Sequence, residues 1–110
     1  MNNQKYVYCY YAAATPMDQE VFMAMEPYFS DNFYNPSAIY LAGKSARKAL
    51  ENARSVVARQ LGSRPSEIIF TAGGSEANNL AIRGVMNLHR GANCVVSAIE
   101  HDSVIKPAQH

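Results

Sequence analysis

Two stretches of the chain carry residues whose types and spacing suit chemistry. The first, IIFTAGGSEANN from Ile68 to Asn79, passes from an apolar run through Gly73 and Gly74 to the Ser75 hydroxyl and a polar helix start. Glycine at such a junction lets the backbone approach a bound group closely. The unpaired N–H groups and dipole of the helix start favour an anion there by about 0.3–1 kcal/mol. Gly74 and Ser75 are therefore candidates for holding a phosphate, with Ser75 both capping the helix and donating to a phosphate oxygen. The same residues have a plainer explanation, because paired glycines supply positive φ in turns and serine caps helices without any ligand. No Gly-Lys-Ser/Thr follows and the spacing is not GxGxxG, so a mononucleotide and a phosphorylated cofactor stand equally open.

The second stretch is SAIEHDSV, from Ser97 to Val104. His101 follows an apolar segment, and an imidazole at that place can stack on a planar ligand or shuttle a proton near neutral pH. A lone loop histidine is also compatible with simple exposure. His89 closes a helical pattern and answers to the helix dipole, while His110 is terminal and uninformative. Cys9 and Cys94 form no CxxC pair, which signals neither a disulfide framework nor a zinc site, and both are read as reduced.

The elements that must position these groups are legible from periodicity. Lys5 to Tyr11 has strand-like Val and Tyr density, read as a short strand or extended arm. Asp18 is a plausible N-cap for an amphipathic helix carrying Val21, Phe22, Met25, Tyr28 and Phe29, ended or kinked at Pro27. SDNFYNPSA is turn chemistry and predicts a loop. Ala46, Ala49, Leu50, Ala53, Val56, Val57 and Leu61 then form one helical stripe with Gly62 as its stop. Ile68–Phe70 reads as a strand buried on both faces, Ser75 to Arg90 as a helix closed by Arg90 and Gly91, and Cys94–Ile99 as a second strand. Strand, helix, strand predicts a right-handed βαβ unit with a parallel sheet, and an α/β fold class. Ligands of such sheets gather outside the carboxyl ends of the strands, where Gly74, Ser75 and His101 would meet.

Composition sets outer bounds. A chain of 110 residues with 48% hydrophobic content suits one small globular domain, and its net charge of +1 without a basic run argues against nucleic acid or an anionic membrane as partner. No signal-peptide core and no bilayer-spanning apolar run is visible, so a cytoplasmic location is expected.

Taken in order, four segments resemble the cysteine desulfurases of the NifS/IscS group, within the class V aminotransferase family of pyridoxal phosphate enzymes. YCYYAAATPMDQEV resembles the opening Y-L-D-x-A-A-T-T-P-x-D, and NFYNPSAIYLAG resembles F-G-N-P-S-S-x-H-x-x-G. IIFTAGGSEANNLAI and SAIEHDSV resemble I-x-F-T-S-G-x-T-E-x-N-N and E-H-x-[AS]-V. The resemblance covers nearly the whole chain and implies the N-terminal part of the PLP-dependent transferase fold type I, a three-layer α/β/α architecture of the aspartate-aminotransferase kind, here incomplete. It implies an N-terminal arm or small-domain segment at residues 1–15 and the N-terminal part of the cofactor-binding large domain at 16–110. It further implies that Gly74 and Ser75 hold the phosphate of pyridoxal 5'-phosphate, and that His101 stacks on the cofactor ring and helps to move protons. The implied reaction takes L-cysteine to alanine, with sulfur passed as a protein persulfide to an acceptor or scaffold protein for iron–sulfur cluster assembly or another sulfur-transfer pathway. A homodimer is implied for the full-length enzyme.

The family's Schiff-base lysine, the acidic partner of the pyridine nitrogen, the substrate-carboxylate arginine and the nucleophilic cysteine match nothing in residues 1 to 110. Cys9 and Cys94 lie in strand-like segments, and neither is assigned as nucleophile. The two strands are not neighbours in the family fold, which leaves apolar faces and strand edges uncovered and predicts an isolated 110-residue chain of poor stability without desulfurase activity. Within the matched region Tyr10 stands for an aspartate, Ala14 for a threonine, Tyr34 for a glycine, Tyr40 for a histidine and Ala72 for a serine. Tyr34 predicts strain wherever its turn needs positive φ. The tyrosines also motivate a second expectation, a non-catalytic remnant acting as a binding module. A third is another class V member such as a selenocysteine lyase.

Overall fold

The computed structural model describes residues 6–109. Lys5, where the strand or arm was expected to begin, and His110 lie outside the described residues, as do residues 1–5 of the proposed arm. The chain forms two compact units, Met1–Pro65 and Ser66–His110.

In the first unit, helix α1 (Gln19–Met25) starts where the sequence predicts, with the Asp18 side chain accepting the backbone N–H of Glu20 at 2.8 Å. A carboxylate there satisfies one of the orphan donors of the first turn. The helical run breaks just before Pro27, as the sequence predicts, and Pro27 opens a second short helix, α2 (Pro27–Ser30), at a position where its missing N–H costs nothing. The break falls at Glu26, between the two.

The loop that follows closes through Asn35. Its Oδ1 accepts from the Ser37 N–H at 2.8 Å and its carbonyl accepts from the Ala38 N–H at 3.1 Å, an Asx-supported turn. Helix α3 (Leu41–Gln60) begins several residues before the predicted stripe. It ends in a Schellman motif: Gly62, at φ +65°, donates to the Arg59 carbonyl, and Ser63 donates to the Ala58 carbonyl at 2.9 Å. Gly62 acts as the stop that the sequence predicts.

In the second unit, a 3-10 turn (Pro65–Glu67) begins beside its boundary, followed by α4 (Gly74–Leu88) and α5 (Asp102–Ala108), which pack together. Helix α4 ends at Leu88, so His89 is its C-cap, and Arg90 lies beyond it instead of in its last turn. Gly91, at φ +87°, turns the chain away.

The expected strands are not formed. Residues 6–11, Ile68–Phe70 and Cys94–Ile99 carry no strand among the described residues, and with them the βαβ unit and its parallel sheet are absent there. A ladder needs a neighbouring strand on at least one side, and doubly buried strands need two covered faces. Here Ile69, Val95 and Ile99 are exposed, the last two at more than 90%. Ala58 is the one buried hydrophobic residue among those described.

Candidate functional site

The turn that enters α4 is held by Glu76. Its Oε2 accepts the Ala72 backbone N–H at 2.7 Å, reaching back over the helix start as a capping-box carboxylate does. Thr71 Oγ1 donates to the Gly73 carbonyl at 3.2 Å and tightens the same turn. Gly73 is the N-cap and offers no side-chain cap. The first N–H groups of α4, on Gly74, Ser75 and Glu76, are therefore without intrahelical acceptors.

This geometry bears on the plainer explanations of the Gly-Gly-Ser run. Gly73 is fully extended at φ 173°, a backbone any residue adopts, and Gly74 is helical; neither occupies the left-handed region. A Cβ on either residue would meet nothing within 4 Å. Ser75 lies one residue inside the helix and does not cap it, a correction to the sequence reading. Neither turn strain, nor internal crowding, nor capping accounts for these residues. An open backbone with free N–H groups and a hydroxyl suits an approaching anion.

His101 is the N-cap of α5, with φ −64° and ψ 147°. Its Nδ1 accepts the Ser103 backbone N–H at 3.1 Å and stands 2.8 Å from Ser103 Oγ. Helix α5 was not expected from the sequence, and Pro107 lies inside it. The Asp102 and Lys106 charges, four residues apart, are the signal that could have revealed it.

Ser75 and His101, far apart in sequence, line one cavity of about 270 Å³ together with Asn79, Arg83, Asp102, Ser103, Lys106 and Pro107. Ser75, Asn79 and Arg83 follow one another at i, i+4 and i+8, so α4 presents them on a single face. Gly74 is adjacent, at the first position of α4, but does not line the cavity. Arg83 and Lys106 place two cationic groups in it, and neither was singled out from sequence. Lys106 Nζ is 2.9 Å from Asp102 Oδ2. That hydrogen bond, and next the Lys106 charge, hold the Asp102 carboxyl below its ordinary value of 3.8, with His101 adding a smaller pull.

The first unit has a separate apolar groove of about 400 Å³ between Tyr28, Phe33, Tyr34 and the Ala46, Leu50, Ala53 stripe of α3. Tyr34 stacks on Phe33 at 4.8 Å and meets Tyr40 edge-on at 6.3 Å. No non-glycine residue among those described has positive φ, so Tyr34 carries no such strain. Cys9 and Cys94 are free and exposed. No helix among the described residues is long and apolar enough to cross a membrane.

Comparison with known proteins agrees with the motifs. The family model "Aminotransferase class-V" matches residues 7–110. The chain is 44% identical over 103 residues to a cysteine desulfurase IscS of Dictyoglomus turgidum, spanning 92% of this chain and 26% of that protein. It is also 44% identical to a cysteine desulfurase IscS of Methanosarcina thermophila, with the same coverage. Among solved structures, a NifS-like protein superposes with a TM-score of 0.79 at 29% identity, over 88% of this chain and 27% of that one. The chain thus spans about a quarter of the length of the curated relatives it matches.

Proposed function

The chain belongs to the class V aminotransferase family, with part of the PLP-dependent transferase fold type I and a likeness to the NifS/IscS cysteine desulfurases, and from that premise we propose that residues 1–110 furnish the cofactor-phosphate portion of a cysteine desulfurase. The observation that carries this reading is the shared cavity of Ser75 and His101 at the uncapped start of α4.

The residues fit pyridoxal 5'-phosphate. The N–H groups of Gly74 and Ser75 and the Ser75 hydroxyl would hold its phosphate, and Arg83 and Lys106 add positive potential to the same cavity. His101 would lie against the ring and carry a proton to or from the reacting groups. When bound, the cofactor supplies an electron sink for cleavage at the substrate carbon–sulfur bond. The role of the chain's own residues is to bind, orient and move a proton.

The reading extends to L-cysteine as substrate, a sulfur-acceptor or scaffold protein as partner, a homodimer for the full-length enzyme and a cytoplasmic location. Residues 1–15 would serve as an arm or small-domain segment and 16–110 as part of the large cofactor domain. The 110-residue segment alone would be inactive, since no residue in it matches the family's Schiff-base lysine or nucleophilic cysteine, and its exposed apolar faces support poor stability in isolation. A selenium-containing substrate of the same shape is the neighbouring possibility within the family.

The exposed tyrosine cluster favours a second reading, a binding module without catalysis. Cysteine-dependent alanine formation by the complete product of the gene separates the two. Stoichiometric release of alanine and sulfur, lost in His101→Gln, supports the enzyme. Cofactor-free protein without turnover that still binds a desulfurase supports the module.

A further inference from the structure

His101 is tied to α4 through a chain of hydrogen bonds whose direction is fixed at both ends. Asn78 Nδ2, on α4, donates to Ser103 Oγ, on α5, at 2.9 Å. An amide nitrogen only donates, so the Ser103 oxygen is the acceptor and its own proton is left for another partner. The atom within reach is His101 Nδ1, at 2.8 Å. Nδ1 also receives the Ser103 backbone N–H at 3.1 Å, and a backbone N–H likewise only donates. A ring nitrogen that accepts twice has its lone pair in the ring plane and carries no proton. In neutral imidazole the proton must then sit on Nε2. Asn78 and Ser103 are half-buried, whereas His101 itself is exposed. The chain therefore acts on the ring from a partly sheltered side.

We propose that Asn78 and Ser103 are positioning residues for His101, holding its neutral ring in the Nε2–H form and fixing the ring at the junction of α4 and α5. The consequence for the proposed reaction, on which this inference rests, is that His101 meets cofactor or substrate as a donor at Nε2. Protonation of Nδ1 would require both bonds from Ser103 to be given up. Neither Asn78 nor Ser103 needs to touch a ligand for this role.

The test uses the complete gene product, labelled with nitrogen-15 at histidine and free of cofactor, with the His101 signals identified by their loss in His101→Asn. Expected in the wild type is an unprotonated Nδ1 and a protonated Nε2. Ser103→Ala keeps the backbone donor but loses the hydroxyl, and the tautomer ratio should fall about five-fold, the worth of one ordinary hydrogen bond. Ser103→Thr, which retains the hydroxyl, should restore it. Asn78→Ala should shift the ratio in the same direction by a smaller factor, and serves if Ser103→Ala fails to fold. In the cofactor-loaded protein kcat should fall in Ser103→Ala and recover in Ser103→Thr. A proton on Nδ1 in the wild type, or a tautomer ratio indifferent to both Ser103→Ala and Asn78→Ala, would overturn the proposal. A wild type with the expected tautomer but no turnover of cysteine would instead sink the desulfurase reading and leave the positioning chain standing.

Discussion

A Cβ on Gly43, in the first turn of α3, would come within 2.8 Å of the Asn35 carbonyl oxygen and 2.9 Å of the Ala38 Cβ and carbonyl oxygen. The Asn35–Ala38 turn is thus seated on α3 at a point where only glycine fits, and Arg47 Nε fastens it from the next turn by donating to the Pro36 carbonyl at 2.8 Å. Two of the three contacts are to backbone, which cannot rotate away. Gly43→Ala should destabilise the protein by about 1–3 kcal/mol, as overpacking does. Gly84→Ala, in α4, is the matched control, because a Cβ there meets nothing within 4 Å. Relief of glycine's backbone entropy should make that change stabilising by about 0.5–1 kcal/mol. Denaturant midpoints moving in opposite directions are the expected result.

Gly62 closes α3 at φ +65° with open space around it. Its requirement is conformational and not steric, so Gly62→Ala should cost about 1 kcal/mol and Gly62→Asn distinctly less. Equal losses for the two variants in thermal unfolding would contradict the Schellman assignment.

The pH dependence of α5 follows from Asp102. Its carboxyl is held below 3.8 by Lys106, so the contribution of the pair is present above the ordinary carboxylate value and is lost as pH falls through the lowered one. Both side chains are exposed, and salt should screen the interaction. A carbon-13 titration of the Asp102 carboxyl should place its midpoint below 3.8 and return it toward that value in Lys106→Met.

Tyr34 and Tyr40 replace residues that the family pattern gives as glycine and histidine, and they meet edge-on. A pair of departures in contact suggests one change compensating another. A double-mutant cycle of Tyr34→Ala and Tyr40→Ala should give a coupling of about 0.5 kcal/mol, at the low end for aromatic pairs because both rings are partly exposed. Additive losses would mean that the two substitutions are independent.

The helices were largely legible because their signals are local. Asp18, Pro27 and Gly62 act at the positions their chemistry dictates, with Pro27 both interrupting the helical run and opening its second part. The strands were not realised because a strand is a relation between segments. Apolar runs such as Ile68–Phe70 and Cys94–Ile99 become strands only beside another strand, and no strand is formed among the described residues. At the candidate site, Gly74, Ser75 and His101 are singled out from the sequence by the Gly-Gly-Ser junction and the resemblance, and Ser75 and His101 line one cavity. Asn78 and Ser103 could not be, since their significance lies in a contact between α4 and α5, a helix that the sequence reading did not include.

The most direct test of the central claim is calorimetric titration of the cofactor-free complete gene product with pyridoxal 5'-phosphate and, separately, with pyridoxal. If the start of α4 holds the phosphate, pyridoxal 5'-phosphate should bind far more tightly than pyridoxal. Ser75→Ala should then weaken it by about ten-fold, as loss of a hydrogen bond to a charged group does, while leaving pyridoxal unaffected. Equal affinity for the two compounds, unchanged in Ser75→Ala, would contradict the account.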